Sequence, residues 1–399
     1  MKLHRNIRLL GWFNLMLEFR LYGPIMILYF AQVSGSFALG MSIFSVTMLA
    51  SSLFEIPTGI FSDKIGRKRT VVAGSIASIA SVTFYALGGS FGVLLVGGIL
   101  EGLARAFFSG NNDALLHDTL SESGQQDAYQ EYLGRVSAMY QAALAISALL
   151  GGVIGSFSYS AAFWLSLIPQ VLGLFISLRL IDPRQHTPFS GNIYAHLREA
   201  YFNTIRNRRL RTLSAASILG YGLSESSWLF QSAFIQTLWP TWAIGVAQML
   251  SNIAAALSFY LSGRLIRRFG EFKILIGDIL YSRVVNVIAL LFPGVLSPLL
   301  MTTTALSFGA KTVAVGGLMQ REFTDEQRAT MGSLNSFAGN IVFAICSTLL
   351  GLLADRVGPA NALLVTTLLG LSTLWLYKRV FSEKNQAPVT QGTAENGVG

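Results

Sequence analysis

The feature that most constrains this chain is a series of apolar runs, each about 20 residues long. With soft edges they fall at 9–32, 38–61, 70–88, 91–112, 135–157, 162–181, 213–236, 242–262, 273–292, 297–318, 333–353 and 361–380. A run of this length crosses the hydrocarbon of a bilayer. Lipid offers no partner for backbone N–H and C=O groups, so each run must be a helix. The short alternating strands of a membrane barrel are absent from the pattern. Only 12% of the residues are charged, about half the share of a soluble domain. The expected fold class is all-α integral membrane, with twelve transmembrane helices.

Charge placement orients the helices. The chain has 29 Lys and Arg and a net charge of +9. Four of these bases, Arg20, Arg105, Arg283 and Lys311, lie inside spans. With the N-terminus inside, the far-side loops hold one, Arg356. Such a split is what the positive-inside bias produces. Both termini are therefore expected in the cytoplasm, and the protein in the cell membrane, in contact with lipid. The bases sit between apolar runs rather than on one face of a soluble fold, so no nucleic-acid partner is expected. The start "MKLHRNIRLL" resembles the basic end of a signal peptide, but the following run is long and carries Glu18 and Arg20. It reads as a retained first span. One cysteine, Cys346, and four histidines in polar segments suggest no metal and no cofactor.

The sequence also repeats. "GIFSDKIGRKRTVVAG" at 59–74 aligns with "GRLIRRFGEFKILIGD" at 263–278, so that Gly59 meets Gly263 and Gly66 meets Gly270. Both stretches follow the second span of a six-span block. The expected organisation is an N-terminal six-helix half, 1–182, and a C-terminal six-helix half, 212–382. Between them lies a cytoplasmic linker, 183–211, with a basic, weakly amphipathic stretch suited to an interfacial helix. The polar tail, 383–399, is expected to be disordered.

Twelve helices, a six-plus-six repeat and this loop together resemble the major facilitator superfamily. Its signature between spans two and three, Gly-x-x-x-Asp-(Arg/Lys)-x-Gly-Arg-(Arg/Lys), is met by Gly59, Asp63, Lys64, Gly66, Arg67 and Lys68. "EIPTG" at 55–59 and "SGNNDALLHDTL" at 109–120 are similar to a bacterial subgroup of drug or metabolite exporters. The resemblance implies two repeats around a central cavity and a monomer working by alternating access. It also implies a latch at the loop. The glycines let helices two and eleven approach, Asp63 faces the N-terminus of helix eleven near 331–333, and Arg67 pairs with an acid at the end of span four, Asp113. Glu55 lies close enough to belong to it.

Ionisable groups at bilayer depth are costly and usually face a cavity or one another. The family lines its cavity with spans one, four, seven and ten, which here hold Glu18 and Arg20, Glu101 and Arg105, Glu225, and Lys311. Glu18 with Glu225, and Arg105 with Lys311, are separated by nearly the repeat offset. Asn14, Glu18 and Tyr22 are spaced as one helical stripe, with Arg20 off that face. Pro24 is expected to kink this span. Tyr221, Glu225 and Trp228 form a similar stripe on span seven, as do Thr304, Ser307 and Lys311 on span ten. Glu101 and Arg105, at i and i+4, can neutralise each other. Arg105, followed by Gly110, resembles the family's span-four basic motif linked with proton transfer.

Desolvation raises a carboxylate's pKa and a nearby cation lowers it, so a cavity that opens alternately to each side can move a proton on a carboxylate. Glu18, Glu225 and Arg105 are the candidates for proton coupling. Asn14, Arg20, Tyr22, Glu101, Gln141, Tyr221, Trp228 and Lys311 are the candidates for contact with a small-molecule substrate. Phe107, Phe108, Phe230 and Phe234 are possible apolar lining. The reading is a secondary transporter, with proton-coupled export of amphipathic drugs or metabolites. The alternative is an importer or facilitator of a polar metabolite or organic anion, with Arg20, Arg105 and Lys311 as ligands. An enzyme would need a catalytic cluster with recognisable spacing, which the sequence lacks. The absence of a phosphate-binding loop argues against ATP as the direct driver. Span five, "ALLGGVIGS" at 148–156, departs from the Gly/Pro-rich antiporter motif of such exporters by having no proline.

Overall fold

Residues 2–122, 129–182, 206–322 and 328–382 are described by a computed structural model, and every regular element among them is helical. Most of the expected linker and the whole tail lie outside the described residues. The chain opens with α1 (Lys2–Glu18), a turn, a 3₁₀ turn at Gly23–Ile25, and α2 (Met26–Ser34). Then follow α3 (Phe37–Ile65), α4 (Arg67–Leu87), α5 (Phe91–Phe108), α6 (Asn111–Glu122), α7 (Tyr129–Phe157) and α8 (Tyr159–Leu178). The second series is α9 (Arg208–Ile235), α10 (Thr241–Phe269), α11 (Glu271–Leu291), α12 (Ser297–Thr303), α13 (Ala305–Arg321), α14 (Arg328–Val357), α15 (Pro359–Leu369) and α16 (Ser372–Ser382).

Ten segments are long and apolar enough to cross a membrane: α3, α4, α5, α7, α8, α10, α11, α12 with α13, α14, and α15 with α16. The first and seventh expected spans are not among them. The first is interrupted between Glu18 and Met26, where Pro24 sits in the 3₁₀ turn. The seventh, α9, carries Arg208, Arg209, Arg211, Glu225 and several serines, which dilute its apolar character. Large apolar side chains face outward along the helices, including Leu53, Ile168, Phe175, Val284 and Leu349. That is the surface of a chain solvated by lipid.

Local chemistry sets the helix ends. Ser36, Ser90 and Ser158 each accept a backbone N–H three residues on, so each begins a helix after a short connector. Gly66 ends α3 and starts α4 with φ +94° and ψ 156°; Gly270 ends α10 and starts α11 with φ +77° and ψ 156°. Both are conformations that favour glycine. The flanking helices also match, α3 and α10 at 29 residues and α4 and α11 at 21.

The two series meet along α3 against α14 and α7 against α10. One buried core runs through both at the end that carries the connectors after α2, α7, α9 and α14. It joins Tyr22, Phe30, Phe44, Tyr85 and Phe163 to Phe230, Phe234, Ile244, Phe343 and Leu350. At the opposite end, where α3 turns into α4 and α10 into α11, the cores are separate. Ile7, Phe13, Val71, Leu116 and Leu180 form one, and Leu213, Leu275, Leu318, Tyr377 and Val380 another. Glycines mark the same difference. At the joined end a Cβ on Gly351 would stand 2.6 Å from the Phe37 carbonyl oxygen, and one on Gly152 would stand 2.7 Å from the Gly245 Cα. At the other end, Cβ atoms on Gly59 and Gly332 would meet nothing within 4 Å. The molecule is closed at the first end and open at the second.

A candidate transport site of buried charges

Glu101 on α5 is the centre of the site. Its Oε1 accepts from Arg105 Nη2 at 2.8 Å and Nε at 3.1 Å, and from Arg20 Nη1 at 3.0 Å. Its Oε2 accepts from the Tyr85 hydroxyl at 2.9 Å. Burial without such donors would be prohibitive for a carboxylate, and four contacts saturate this one. Arg20 reaches Glu101 because α1 stops at Glu18. The chain turns there, with the Arg20 N–H donating to the Glu18 carbonyl, and Arg20 Nε donates to the Leu17 carbonyl at 3.2 Å. A broken helix at membrane depth is tolerated where polar groups or a cavity replace the lost partners.

The break corrects the expected stripe. Asn14 donates to the Leu10 carbonyl of its own helix and accepts from Asn112 on α6 at 3.3 Å. Tyr22 is 2% exposed and stacks on Phe163 with the rings 4.7 Å apart and nearly parallel. It is core, not lining. Glu18 stays near the group, 3.9 Å from Arg20 Nη2 at its closest, so Arg20 does not point away from it as the spacing implied.

Glu225 on α9 brings in the second half of the chain. It lies in the field of Arg105, whose side chain is 40% exposed. Among the described residues Glu225 makes no hydrogen bond and no ion pair. Tyr221, one turn earlier, donates to Asn340 at 3.4 Å and also lies in the fields of Glu225 and Arg105. Trp228, one turn later, lines a small cavity with Gln231, Ser232, Gln248 and Thr302.

Other candidates lie elsewhere. Lys311 is 3.2 Å from Asp278 of α11, and Ser307 donates to the same carboxylate at 2.6 Å. A buried acid on α11 captures the lysine, so Lys311 does not join the central group as the repeat offset suggested. Among the described residues, Gln141 makes no hydrogen bond to a charged side chain. Phe230 and Phe234 are fully buried core, and Phe108 packs edge-on against Phe13. Reasoning from charge alone overlooked Tyr85, which orients Glu101, and Tyr140 on α7. Tyr140 lies in the combined fields of Glu18, Arg20, Arg105 and Glu225. Neither tyrosine carries a charge or a motif, and Tyr140 stands one position before Gln141.

The loop between α3 and α4 is tied to its own half. Arg67 Nε donates to Asp118 Oδ2 at 2.7 Å, where Asp113 was the expected partner. Asn111 bridges the two helices, accepting from Ser62 at 2.9 Å and donating to the Arg67 carbonyl at 3.0 Å. Asp182 accepts from the Lys68 N–H at 3.0 Å and fills the space a Cβ at Gly66 would need. Ser333 donates to Glu55 at 3.3 Å, a contact between the two helix series at the open end. The side chains of Asp63 and Asp113 lie outside the described residues.

The family profile described as Major Facilitator Superfamily matches residues 9–344. The chain belongs to this superfamily. Its ten apolar helices of membrane-spanning length make it a multi-pass membrane protein. An uncharacterised transporter of Buchnera aphidicola is 26% identical over 50% of the chain and 49% of its own length. The chain thus spans about half the length of that relative. The quinolone resistance protein NorA of Staphylococcus aureus is 24% identical over 82% of the chain and 84% of its own length. The fold is shared with a variant of the nucleoside transporter NupG, whose crystal structure superimposes with a TM-score of 0.81 at 12% identity, covering 94% of this chain and all of that one.

Proposed function

We propose that this protein is a proton-coupled exporter of amphipathic drugs or metabolites, working by alternating access. Twelve membrane crossings in two six-helix halves, 1–182 and 212–382, complete the architecture. Span one is α1 with α2 and span seven is α9; of the link expected over 183–211, Arg208 to Arg211 belong to the first turn of α9. The matched lengths and glycine geometry of α3–α4 and α10–α11 support the repeat. With both termini and the basic loops in the cytoplasm, the open end faces inward.

The observation that carries the reading is the isolation of Glu225. The central group holds three carboxylates, Glu18, Glu101 and Glu225, against two guanidiniums, Arg20 and Arg105. Glu101 is saturated, so one negative charge near Glu225 and Glu18 needs a compensating cation. A proton loaded from outside supplies it in one half of the cycle, and a cationic substrate competes for it in the other. Similarity to a quinolone resistance protein over most of both lengths points to the same class of cargo. The inner gate is the loop of Gly59, Asp63, Gly66, Arg67 and Lys68. In the inward-closed state α3 and α14 approach each other through the vacant faces of Gly59 and Gly332. For the importer of a polar metabolite or organic anion, Arg105 is the best-placed ligand of the three cations: all are paired with acids, but Arg105 is the most exposed.

The test uses energised inside-out vesicles and follows lumenal pH as lipophilic cations are added. Protein-dependent proton release that vanishes in Glu225→Gln supports antiport. No response to any lipophilic cation, together with proton entry on adding organic anions or sugars to right-side-out vesicles, moves the protein to the importer class.

A further inference from the structure

At the closed end, the first turn of one half is completed by an acid from the other. Phe37 and Ala38 are the first two helical residues of α3. Their backbone N–H groups donate to Asp355 of α14, to Oδ1 at 2.8 Å and Oδ2 at 2.9 Å. Ser36 already caps Leu39. The start of a helix leaves about four N–H groups unpaired and carries the positive end of the helix dipole, so a carboxylate suits it. Gly351, one turn before Asp355, lies directly on the Phe37 backbone, and this absence of a side chain lets the carboxylate reach. Further along the same contact, Ser45 pairs with Ser347 at 2.6 Å and with Thr348 at 2.9 Å. At the open end, among the described residues, the α3–α14 contact has Ser333 to Glu55 at 3.3 Å and no carboxylate on a helix start.

We propose that Asp355 is the latch of the closed end. It holds that end shut by capping a helix of the opposite half and must release Phe37 and Ala38 each time the end opens. A cap made within one half persists in every state and biases nothing. This cap joins two bodies, so its energy belongs to one state alone and sets the population of that state. Asp355 is exposed, so on release water solvates the acid and the two N–H groups.

The experiment measures distances between spin labels on the purified full chain, after the single cysteine, Cys346, is replaced by Ser. One label pair replaces Phe157 and Phe292, both exposed at the closed end; the other replaces Lys64 and Lys273 at the open end. In Asp355→Ala the ratio of open to closed populations at the first end rises about tenfold, as loss of a charge-assisted contact requires. The open-end pair moves closer in step. Asp355→Asn, with one carbonyl acceptor, gives a smaller shift. Phe37→Pro removes a donor without touching the acid. Proline is accepted at the first helical position, and Ser36 already has the extended backbone a following proline needs. Read against Phe37→Ala, which loses the ring contact with Phe230 but keeps the N–H, it shifts the same way. Unchanged distances in Asp355→Ala, or Phe37→Pro matching Phe37→Ala, overturn the latch. The proposal rests on alternating access and not on cargo or direction. Label pairs that stay fixed in every variant defeat both, whereas motion that ignores Asp355 defeats the latch alone.

Discussion

Arg20 and Arg105 donate to the same oxygen of Glu101, one from the broken segment after α1 and the other from α5. A carboxylate that holds two guanidiniums at one point fixes both, and Glu225 lies in the field of the Arg105 held there. Replacing it by a neutral amide makes the two cations neighbours with nothing between them. Glu101→Gln is expected to lower stability by about 3–5 kcal/mol, the usual cost of removing one partner from a buried pair. Transport should fall at least tenfold. Thermal unfolding in detergent and uptake by proteoliposomes measure the two, and an unchanged melting temperature refutes the role.

Glu225 has no hydrogen bond to lose among the described residues. Glu225→Gln should therefore leave stability within about 0.5 kcal/mol of the parent. Transport driven by a pH gradient should vanish while exchange of labelled for unlabelled substrate continues. Equal loss of both would make Glu225 a substrate contact and not the proton carrier.

Lys311 and Asp278 form a closed pair within the second half of the chain. Lys311→Met alone leaves a buried carboxylate uncompensated and should cost about 3–5 kcal/mol. Adding Asp278→Asn should recover most of that loss and restore transport. A double-mutant cycle on melting temperature gives the coupling, and a value near zero would return Lys311 to the list of free cations.

Gly66 and Gly270 share a backbone conformation but differ in their surroundings. Gly270→Ala meets no neighbour within 4 Å and carries only backbone strain, about 1–3 kcal/mol. Gly66→Ala adds an overlap with the Asp182 carboxylate. It should lose more stability than Gly270→Ala, and equal losses would mean that Asp182 yields without cost.

Much of this was legible in the sequence, because the physics behind it is local. Apolar length marked most of the membrane helices, and the loop of 59–68 carried the family resemblance. The i, i+4 spacing paired Glu101 with Arg105 correctly. Errors arose where a residue's partner depends on which helix lies opposite. Lys311 sits on the expected polar stripe with Ser307, but that stripe faces Asp278, and only packing decides this. Arg67 pairs with Asp118 on α6, an acid the sequence reading did not weigh. The stripe of Asn14, Glu18 and Tyr22 assumed an unbroken helix. Pro24 signalled trouble, but the chain leaves the helix earlier, after Glu18, and this alone puts Arg20 beside Glu101.

The contact between Gly152 of α7 and Gly245 of α10 has a consequence for movement. There the two halves touch through backbone, with no side chain from either residue between them. Interdigitated side chains act as gear teeth: motion across them requires each to leave its rotamer and find another. Two bare helix faces act as a bearing. In the proposed alternating access they roll on each other while the distance between axes stays fixed, and the swing appears at the far ends of the helices. Any side chain placed at either glycine would add a tooth and turn the bearing into a stop.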